Sequence, residues 1–145
     1  MKIFPYNEKS EIELKSSKLM ELNFYQSNDP ITMDSIDMDL SLGASYLLKK
    51  EENKLQFDLS VALRLHQNID VDKITDIGII QSKISGIFIY NGKLDEKVFP
   101  NLASILYSYL RPIVAQISVM AKLPPIDLPI VNLSKIKVDK IKDKE

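Results

Sequence analysis

The sequence predicts an α+β fold: four strands of alternating hydrophobicity, then one long helix, then an extended proline-rich segment. Apolar residues recur at every second position through much of residues 11–90, as expected for strands with one buried side. Over residues 101–122 the apolar period changes to that of a helix. Residues 123–133, here called the crossover segment, contain three prolines and no glycine, which keeps the backbone extended.

Length and composition indicate one domain. The chain has 145 residues, of which 45% are hydrophobic, enough for one core. We therefore expect a single domain over residues 1–145, with flexible ends at 1–10 and 135–145. The formal charge of -1 provides no field that would attract nucleic acid. No signal sequence or membrane-spanning run is evident, so we expect a cytoplasmic protein without membrane insertion.

The four strands are predicted in this order. Residues 11–25 alternate less cleanly than the rest, and residues 35–48 alternate strictly. The polar stretch 49–54 then forms a hairpin connection to a strand at 55–65. Residues 74–90 are rich in β-branched side chains and end at a turn signal, Asn91-Gly92. Within that strand, Ser85-Gly86 suggests a bulge or a bend.

The helix is predicted over residues 101–122. Pro100 stands just before it, where a missing amide donor costs nothing. Pro112 lies inside it and should kink it.

Chemistry-bearing residues are scarce. There is no cysteine and one histidine, His66, on the polar side of its strand, so we expect a surface histidine and no metal site. No nucleophile motif and no phosphate-binding glycine loop is present. The sequence therefore predicts no cofactor and no enzymatic activity. The notable feature is surplus apolar surface, because the apolar residues of the crossover segment cannot all point into one small core.

The second half of the chain resembles the SecB family of protein-export chaperones. That family has a strand ending in Gly-Ile-Phe, a helix starting at Pro-Asn, a helix core of Leu-aromatic-x-Tyr-x-Arg, and a Pro-rich segment ending in Val-Asn-Phe. The matching stretches here are Gly86-Ile87-Phe88, Pro100-Asn101, Leu106 to Arg111 (LYSYLR) and Leu123 to Leu133 (LPPIDLPIVNL). The resemblance covers roughly residues 75–133, and the register from Leu106 to Leu133 needs no gap.

The resemblance implies a four-stranded antiparallel sheet with a long helix packed on it. It also implies a homotetramer built as a dimer of dimers, with unfolded or precursor proteins bound in hydrophobic grooves without ATP. The client-binding groove it implies is formed by Phe88 and by the crossover residues Leu123, Ile126, Leu128, Ile130, Val131 and Leu133. The oligomer interface it implies is formed by the helix residues Tyr107, Tyr109, Ile113 and Ile117.

The chain departs from the family on the acidic sheet surface that docks the SecA motor. Glu21 matches an aspartate of the first strand and is the candidate SecA contact, whereas Gln81 stands where a glutamate is usual. These departures argue against SecA docking and fit a divergent member that protects one client, such as an antitoxin. Two other readings are a carrier of small apolar ligands in a sheet-helix cavity and a purely structural oligomerisation module.

Overall fold

The fold consists of one sheet and one long helix. The computed structural model describes residues 2–7, 10–27, 36–70, 73–123 and 126–141. The first five strands and the helix, in chain order, are β1 (Lys2–Asn7), β2 (Ser10–Gln26), β3 (Asp37–Lys49), β4 (Lys54–Asp70), β5 (Lys73–Asn91) and α1 (Phe99–Met120). A short strand, β6 (Val138–Lys140), follows the crossover segment, and two 3-10 turns lie at Lys50–Glu52 and Glu96–Val98.

The strand order across the sheet is β1-β2-β5-β4-β3-β6. The four long strands pair antiparallel, as predicted, and β1 also pairs antiparallel with β2. The prediction of four strands is incomplete, because β1 and the parallel strand β6 extend the sheet at its two edges. Both lie in the stretches 1–10 and 135–145 that were expected to be flexible ends. Residues 1, 8–9 and 142–145 of those stretches lie outside the described residues.

The strands run further than their apolar patterns indicate. β4 continues to Asp70 rather than residue 65, and α1 begins at Phe99 rather than residue 101. Position 35, predicted as the start of the second of the four strands, lies outside the described residues. The polar connection between β3 and β4 is a 3-10 turn closed by Asn53, whose φ of 53° places it in the left-handed region. Asparagine tolerates that conformation better than most residues do.

The sheet has a helix-facing side and an outer side. On β4 the helix-facing residues alternate with polar ones and are almost completely buried. These residues are Leu55, Phe57, Leu59, Val61, Leu63 and Leu65. The helix covers the middle of the sheet, over β4 and β5, and buries Leu102, Leu106 and Leu110 against them. Burial of this kind is the main favourable term in folding, so this layer is the core.

Gly86 fills a packing role in this core. A bulge predicted at Ser85-Gly86 is wrong: β5 pairs with β4 in continuous register there, and the irregularities against β2 fall between Leu14 and Ser16 and between Leu19 and Glu21. A Cβ at Gly86 would lie 2.8 Å from Phe88 Cε2 and 3.0 Å from Leu106 Cδ2. The missing side chain therefore lets the helix approach the sheet closely.

We expect Gly86→Ala to lower the free energy of unfolding by about 1–3 kcal/mol, as overpacked cores do. Phe88 and Leu106 are fully buried, so neither ring nor methyl group has open space to move into. Denaturant unfolding of the purified protein measures the change. Gly43→Ala is the matched control, because a Cβ at Gly43 meets nothing within 4 Å. Equal stability of the two variants would contradict this account of Gly86.

The helix is long and carries one charged residue, Arg111. Pro100 lies in its first turn rather than just before it, because the helix begins at Phe99, and the helix continues through Pro112, which is exposed. By length and composition alone, the segment Glu96–Met120 could cross a membrane. Its apolar side chains have another use, because residues such as Leu102, Leu106 and Leu110 are fully buried under the sheet, as in the core helix of a globular protein.

Candidate polypeptide-binding site

One flank of α1 holds the crossover segment by side-chain hydrogen bonds. The Tyr107 hydroxyl donates to the carbonyl oxygen of Pro129 at 2.6 Å. The Ser118 hydroxyl oxygen accepts from the backbone N–H of Ile126 at 2.9 Å, and the same hydroxyl donates to Ala115 O at 2.7 Å. Tyr107 and Ser118 lie about three turns apart on the same flank. The crossover segment therefore lies along the helix at fixed positions.

The described residues of the crossover segment divide between the core and solvent. Leu123, Ile126, Leu128 and Leu133 are buried, whereas Ile130 is 89% exposed and Val131 is half-buried. This confirms that the apolar residues of the segment do not all point into one core. Ile130 directly follows Pro129, whose carbonyl is held by Tyr107. An exposed isoleucine is therefore presented on an anchored backbone.

The other flank of α1 carries an apolar stripe, here called the helix stripe. Its members recur every three or four residues and are half-buried, except for Met120, which is 74% exposed. They are Ile105, Tyr109, Ile113, Ile117 and Met120. This spacing places them on one face of the helix. None of them carries a charge.

The helix stripe faces the β2 side of the sheet. The crossover segment leads from α1 to β6, which pairs with β3. In the strand order, β3 and β2 lie on opposite sides of the β4–β5 pair under the helix. The flank that holds the crossover segment therefore lies toward β3, and the helix stripe lies toward β2.

The helix-facing side of β2 is itself apolar and only partly covered. Leu14, Leu22 and Phe24 are half-buried, and Leu19 is 37% exposed. Their register partners Phe88, Ser82, Ile80 and Ile84 on β5 are all buried. The helix stripe and this row of β2 thus form an apolar surface that the described part of one protomer leaves partly open. Contiguous surface of this kind marks an interaction site.

The predicted client-groove residues lie on β5 and the crossover segment and differ in exposure. Phe88 and Leu128 have no exposed area, and Leu123, Ile126 and Leu133 are 5% exposed. Ile130 and Val131 offer the accessible surface of this set. Client binding by these seven residues stays a prediction.

The predicted interface residues divide in a similar way. Tyr109, Ile113 and Ile117 belong to the helix stripe, whereas Tyr107 is 5% exposed and bonds Pro129 within the protomer. Burial raises the pKa of Tyr107, an effect that nearby Arg111 partly opposes. The resemblance implied these four residues as one interface, but Tyr107 lies on the flank that holds the crossover segment. Assembly through them stays a prediction.

On the outer side of the sheet, the residues around Glu21 are mostly small or polar. Glu21 is exposed and stands opposite Lys83 on β5, while Asn23 stands opposite Gln81. A shallow depression of about 440 Å³ lies there, lined in part by Glu21, Ser41, Gly43, Ser60 and Gln81. The lysine beside Glu21 offsets its negative charge. The row across β2 and β5 is therefore not strongly acidic.

His66 lies on the outer side, as predicted, but is more covered than a surface histidine. Its side chain is 12% exposed, and Nε2 lies 3.0 Å from Asp39 Oδ2. The neighbouring Arg64 bonds Asp76 Oδ1 at 2.6 Å. Asp39 and Asp76 are well exposed, and exposed ion pairs contribute little to stability. We assign these pairs to the ordering of the sheet surface.

An aromatic pocket that the sequence did not indicate lies where β3 meets the start of α1. The rings of Tyr46 and Phe99 are 4.6 Å apart, and Phe57 packs against Phe99 at 5.7 Å. Tyr46 and Phe99, together with the tail residues Ile136 and Val138, border an open depression of about 760 Å³. The available sequence signal was the apolar alternation of the tail, which is weak among so many lysines.

The Tyr46 hydroxyl gives this pocket a pH dependence. Burial raises the pKa of Tyr46 above 10.0, and the negative charge of Glu96 and a hydrogen bond to it act in the same direction. A raised folded-state pKa contributes stability below pH 10.0 that is lost as pH rises through the folded pKa. We expect the free energy of unfolding to fall above pH 10.0 less steeply in Tyr46→Phe than in the wild type. Denaturant titrations on both sides of that pH measure this, and equal slopes would contradict it.

The described residues form neither a metal site nor an open apolar cavity between sheet and helix. Among the described residues, no group of three histidine, cysteine, aspartate or glutamate side chains is placed to hold a metal ion. The sheet-helix interior, where an apolar ligand would lie, is filled by side chains with no exposed area, such as Phe57, Phe88, Leu106 and Leu110. The apolar surface described above therefore remains the best candidate for a functional site.

Comparison with known proteins supports the fold. No family model matches this chain, and no curated protein is similar in sequence. Among solved structures, a SecB-like chaperone of Mycobacterium tuberculosis, in complex with a ChAD peptide from the HigA1 antitoxin, matches with a TM-score of 0.68 and 16% identity over 86% of this chain and 91% of that chain. A Streptococcus agalactiae protein of unknown function matches with a TM-score of 0.46 and 13% identity over 83% of this chain and 98% of that one. The chain therefore has a SecB-like fold.

Proposed function

We propose that this protein is an ATP-independent chaperone that holds unfolded polypeptide segments, and that it is a binding protein rather than an enzyme. The observation that carries the proposal is the amount of apolar surface that the protomer leaves open. The helix stripe, the partly covered row of β2 and the exposed Ile130 all contribute to it. Binding through apolar surface is non-directional and needs no nucleotide.

Part of this surface serves self-assembly in our proposal. Tyr109, Ile113 and Ile117 pack against another copy in a homotetramer formed as a dimer of dimers. A helix with a single charged residue suits such burial, because interface cores are depleted in charge. The accessible surface at Ile130 and Val131 of the crossover segment then remains open for client binding. An unfolded chain that binds this surface on several protomers at once gains avidity from tethering.

We propose that the apolar surface holds unfolded chains in general, and that the client in the cell is a dedicated one rather than the whole set of exported precursors. The similar mycobacterial chaperone is in complex with an antitoxin peptide, which supports a client of that kind. The presence of Gln81 and of Lys83 opposite Glu21 argues against docking of SecA through this surface. We propose that the protein acts in the cytoplasm.

The proposal is tested by light scattering of a reduced, unfolded protein diluted from denaturant, with and without stoichiometric chaperone. Suppressed aggregation in the absence of ATP, by an oligomer of measured mass, is the expected result. If a well-folded oligomer fails to suppress aggregation, general holding activity is excluded. One-to-one binding of a fatty acid that resists competition by unfolded protein would instead favour an apolar-ligand carrier.

Ile130→Ser should weaken binding of the unfolded protein by roughly tenfold. Full burial of an isoleucine side chain contributes about 1.5–3 kcal/mol, and each 1.4 kcal/mol is about tenfold in affinity. Because Ile130 is 89% exposed, the protein itself should be no less stable. Fluorescence anisotropy of labelled, unfolded protein measures the change. Val119→Ser is the matched control, since Val119 is also exposed, at 52%; an equal loss in both variants would count against a specific role of Ile130.

A further inference from the structure

The C-terminal strand β6 occupies the edge of β3 in an extended conformation. It pairs parallel with Ala44, Ser45 and Tyr46, and the Ile141 N–H donates to Tyr46 O at 2.8 Å. β6 has three residues, the short end of the usual range for strands, and parallel pairing is slightly less stable per residue than antiparallel pairing. The chain thus covers part of its own sheet edge with a segment that is weakly held.

The segment also supplies the apolar side chains that cover the aromatic pocket. Ile136 and Val138 are half-buried against the core and border the depression that contains Tyr46 and Phe99. Residues between and after them, Lys137, Asp139 and Lys140, are exposed. The occupant of this site is therefore an extended segment with apolar side chains at alternate positions.

The edge of β3 continues beyond the part that β6 covers. Among the described residues, no strand pairs with the outer edge of β3 from Met38 to Gly43. The β3–β4 register is continuous, and the Tyr46 carbonyl points outward to Ile141. Alternate residues of a strand point their backbone groups the same way, so Met38, Leu40 and Leu42 also direct N–H and C=O groups outward.

We propose that this edge is a client-binding site and that β6 is its resident occupant, displaced by an extended client segment. The client segment pairs with β3 and places apolar side chains over Tyr46 and Phe99 at alternate positions. A segment that reaches toward Met38 makes more backbone hydrogen bonds than β6 does, so it competes well. This inference rests on the proposed chaperone function and names how its clients are recognised.

The charge around the site does not select the client. Glu96 lies at the rim together with Lys97 and Lys140, so both signs are present. Alternating hydrophobicity and the ability to form a strand are the features that this edge recognises, as in other cases of strand addition to a sheet edge.

The test uses a matched pair of full-length variants. Asp139→Pro with Ile141→Pro removes two N–H donors of the β6 segment, and Asp139→Ala with Ile141→Ala shortens the same side chains but keeps the donors. Both side chains are exposed, so the core is unaffected, and melting temperatures verify this. The probes are a labelled peptide with the sequence of residues 134–141 and reduced, carboxymethylated α-lactalbumin as a permanently unfolded protein.

We expect the peptide to bind the double-proline variant at least several-fold more tightly than the double-alanine variant. We expect unfolded α-lactalbumin to show the same order and to compete with the peptide. If the peptide fails to bind the double-proline variant, the edge is not a strand-accepting site and the inference is overturned. If the peptide binds but the unfolded protein gains no affinity, the edge is not a client site, which also overturns it. A failure of the proposed chaperone function would look different. In that case, unfolded α-lactalbumin would bind none of the variants, while the peptide would still bind the double-proline variant.

Discussion

The double substitution Ile113→Glu with Ile117→Glu should convert the assembled protein into protomers of 16.6 kDa. Both residues belong to the helix stripe and are half-buried in the protomer. In an assembly they would be covered by another copy, and an unpaired carboxylate buried there is strongly destabilising. Sedimentation or light scattering gives the mass directly.

A charge elsewhere on the same helix separates this effect from general damage. Val119→Glu places a carboxylate at a position that is 52% exposed and outside the helix stripe, so the assembly should persist. Circular dichroism of each variant verifies that the fold is retained. The proposed assembly is contradicted if the wild type is already a protomer, or if the double variant keeps the mass of the wild type.

The second large effect is expected at Ser118, which anchors the crossover segment. Its side chain has no exposed area, and its hydroxyl oxygen accepts from the buried N–H of Ile126. Ser118→Ala leaves that N–H without an acceptor, which costs about 1–3 kcal/mol. The free energy of unfolding should fall by this amount, and amide hydrogen exchange of the crossover segment should become faster.

Ser104 and Ser108 provide matched controls on the same helix. Their hydroxyls also donate to carbonyl oxygens of the preceding turn, at 3.0 Å to Pro100 and 2.6 Å to Ile105. Both are exposed, and replacing either by alanine should change stability by no more than about 0.5 kcal/mol. If Ser118→Ala behaves like these two, the hydroxyl does not anchor the crossover segment.

Local periodicity was sufficient to predict the four long strands and the helix. Each of these elements buries one side. The buried residues recur at the spacing of a strand in Leu55, Phe57 and Leu59, and at the spacing of a helix in Leu102, Leu106 and Leu110. The antiparallel order of β3, β4 and β5 also follows from short connections between alternating segments. These parts of the fold are determined by residues that lie close together in the sequence.

The parts that could not be predicted depend on contacts between distant residues. β6 forms because Val138 meets the edge of β3 at Ala44, and a three-residue parallel strand leaves almost no local pattern. The sequence indicated that the apolar residues of the crossover segment do not all face the core. Which of them face inward depends on Tyr107 and Ser118, which hold Pro129 and Ile126. The same contacts explain why Tyr107 lies on a different flank of the helix from Tyr109 and Ile113.

The candidate site was anticipated only in outline. The resemblance pointed to the crossover segment and to part of the helix stripe. The structure adds Ile105 and Met120 to that stripe, together with the open row of β2 and the Tyr46–Phe99 pocket. Residues such as Leu128 and Phe88 are fully buried, because the densely packed core takes up the most apolar positions of the predicted groove. Exposure, and not hydrophobicity alone, separates client-accessible residues from core residues.

The most direct test of the central claim compares two states of one protein as ligand. Native α-lactalbumin and its reduced, carboxymethylated form have the same amino-acid sequence apart from the modified cysteines, but they differ in exposed apolar surface. Calorimetric titration into this protein without nucleotide should show binding of the unfolded form alone, with a negative heat-capacity change from apolar burial. Equal binding of both forms, or binding of neither by a well-folded assembly, would contradict the claim that the protein holds unfolded polypeptides.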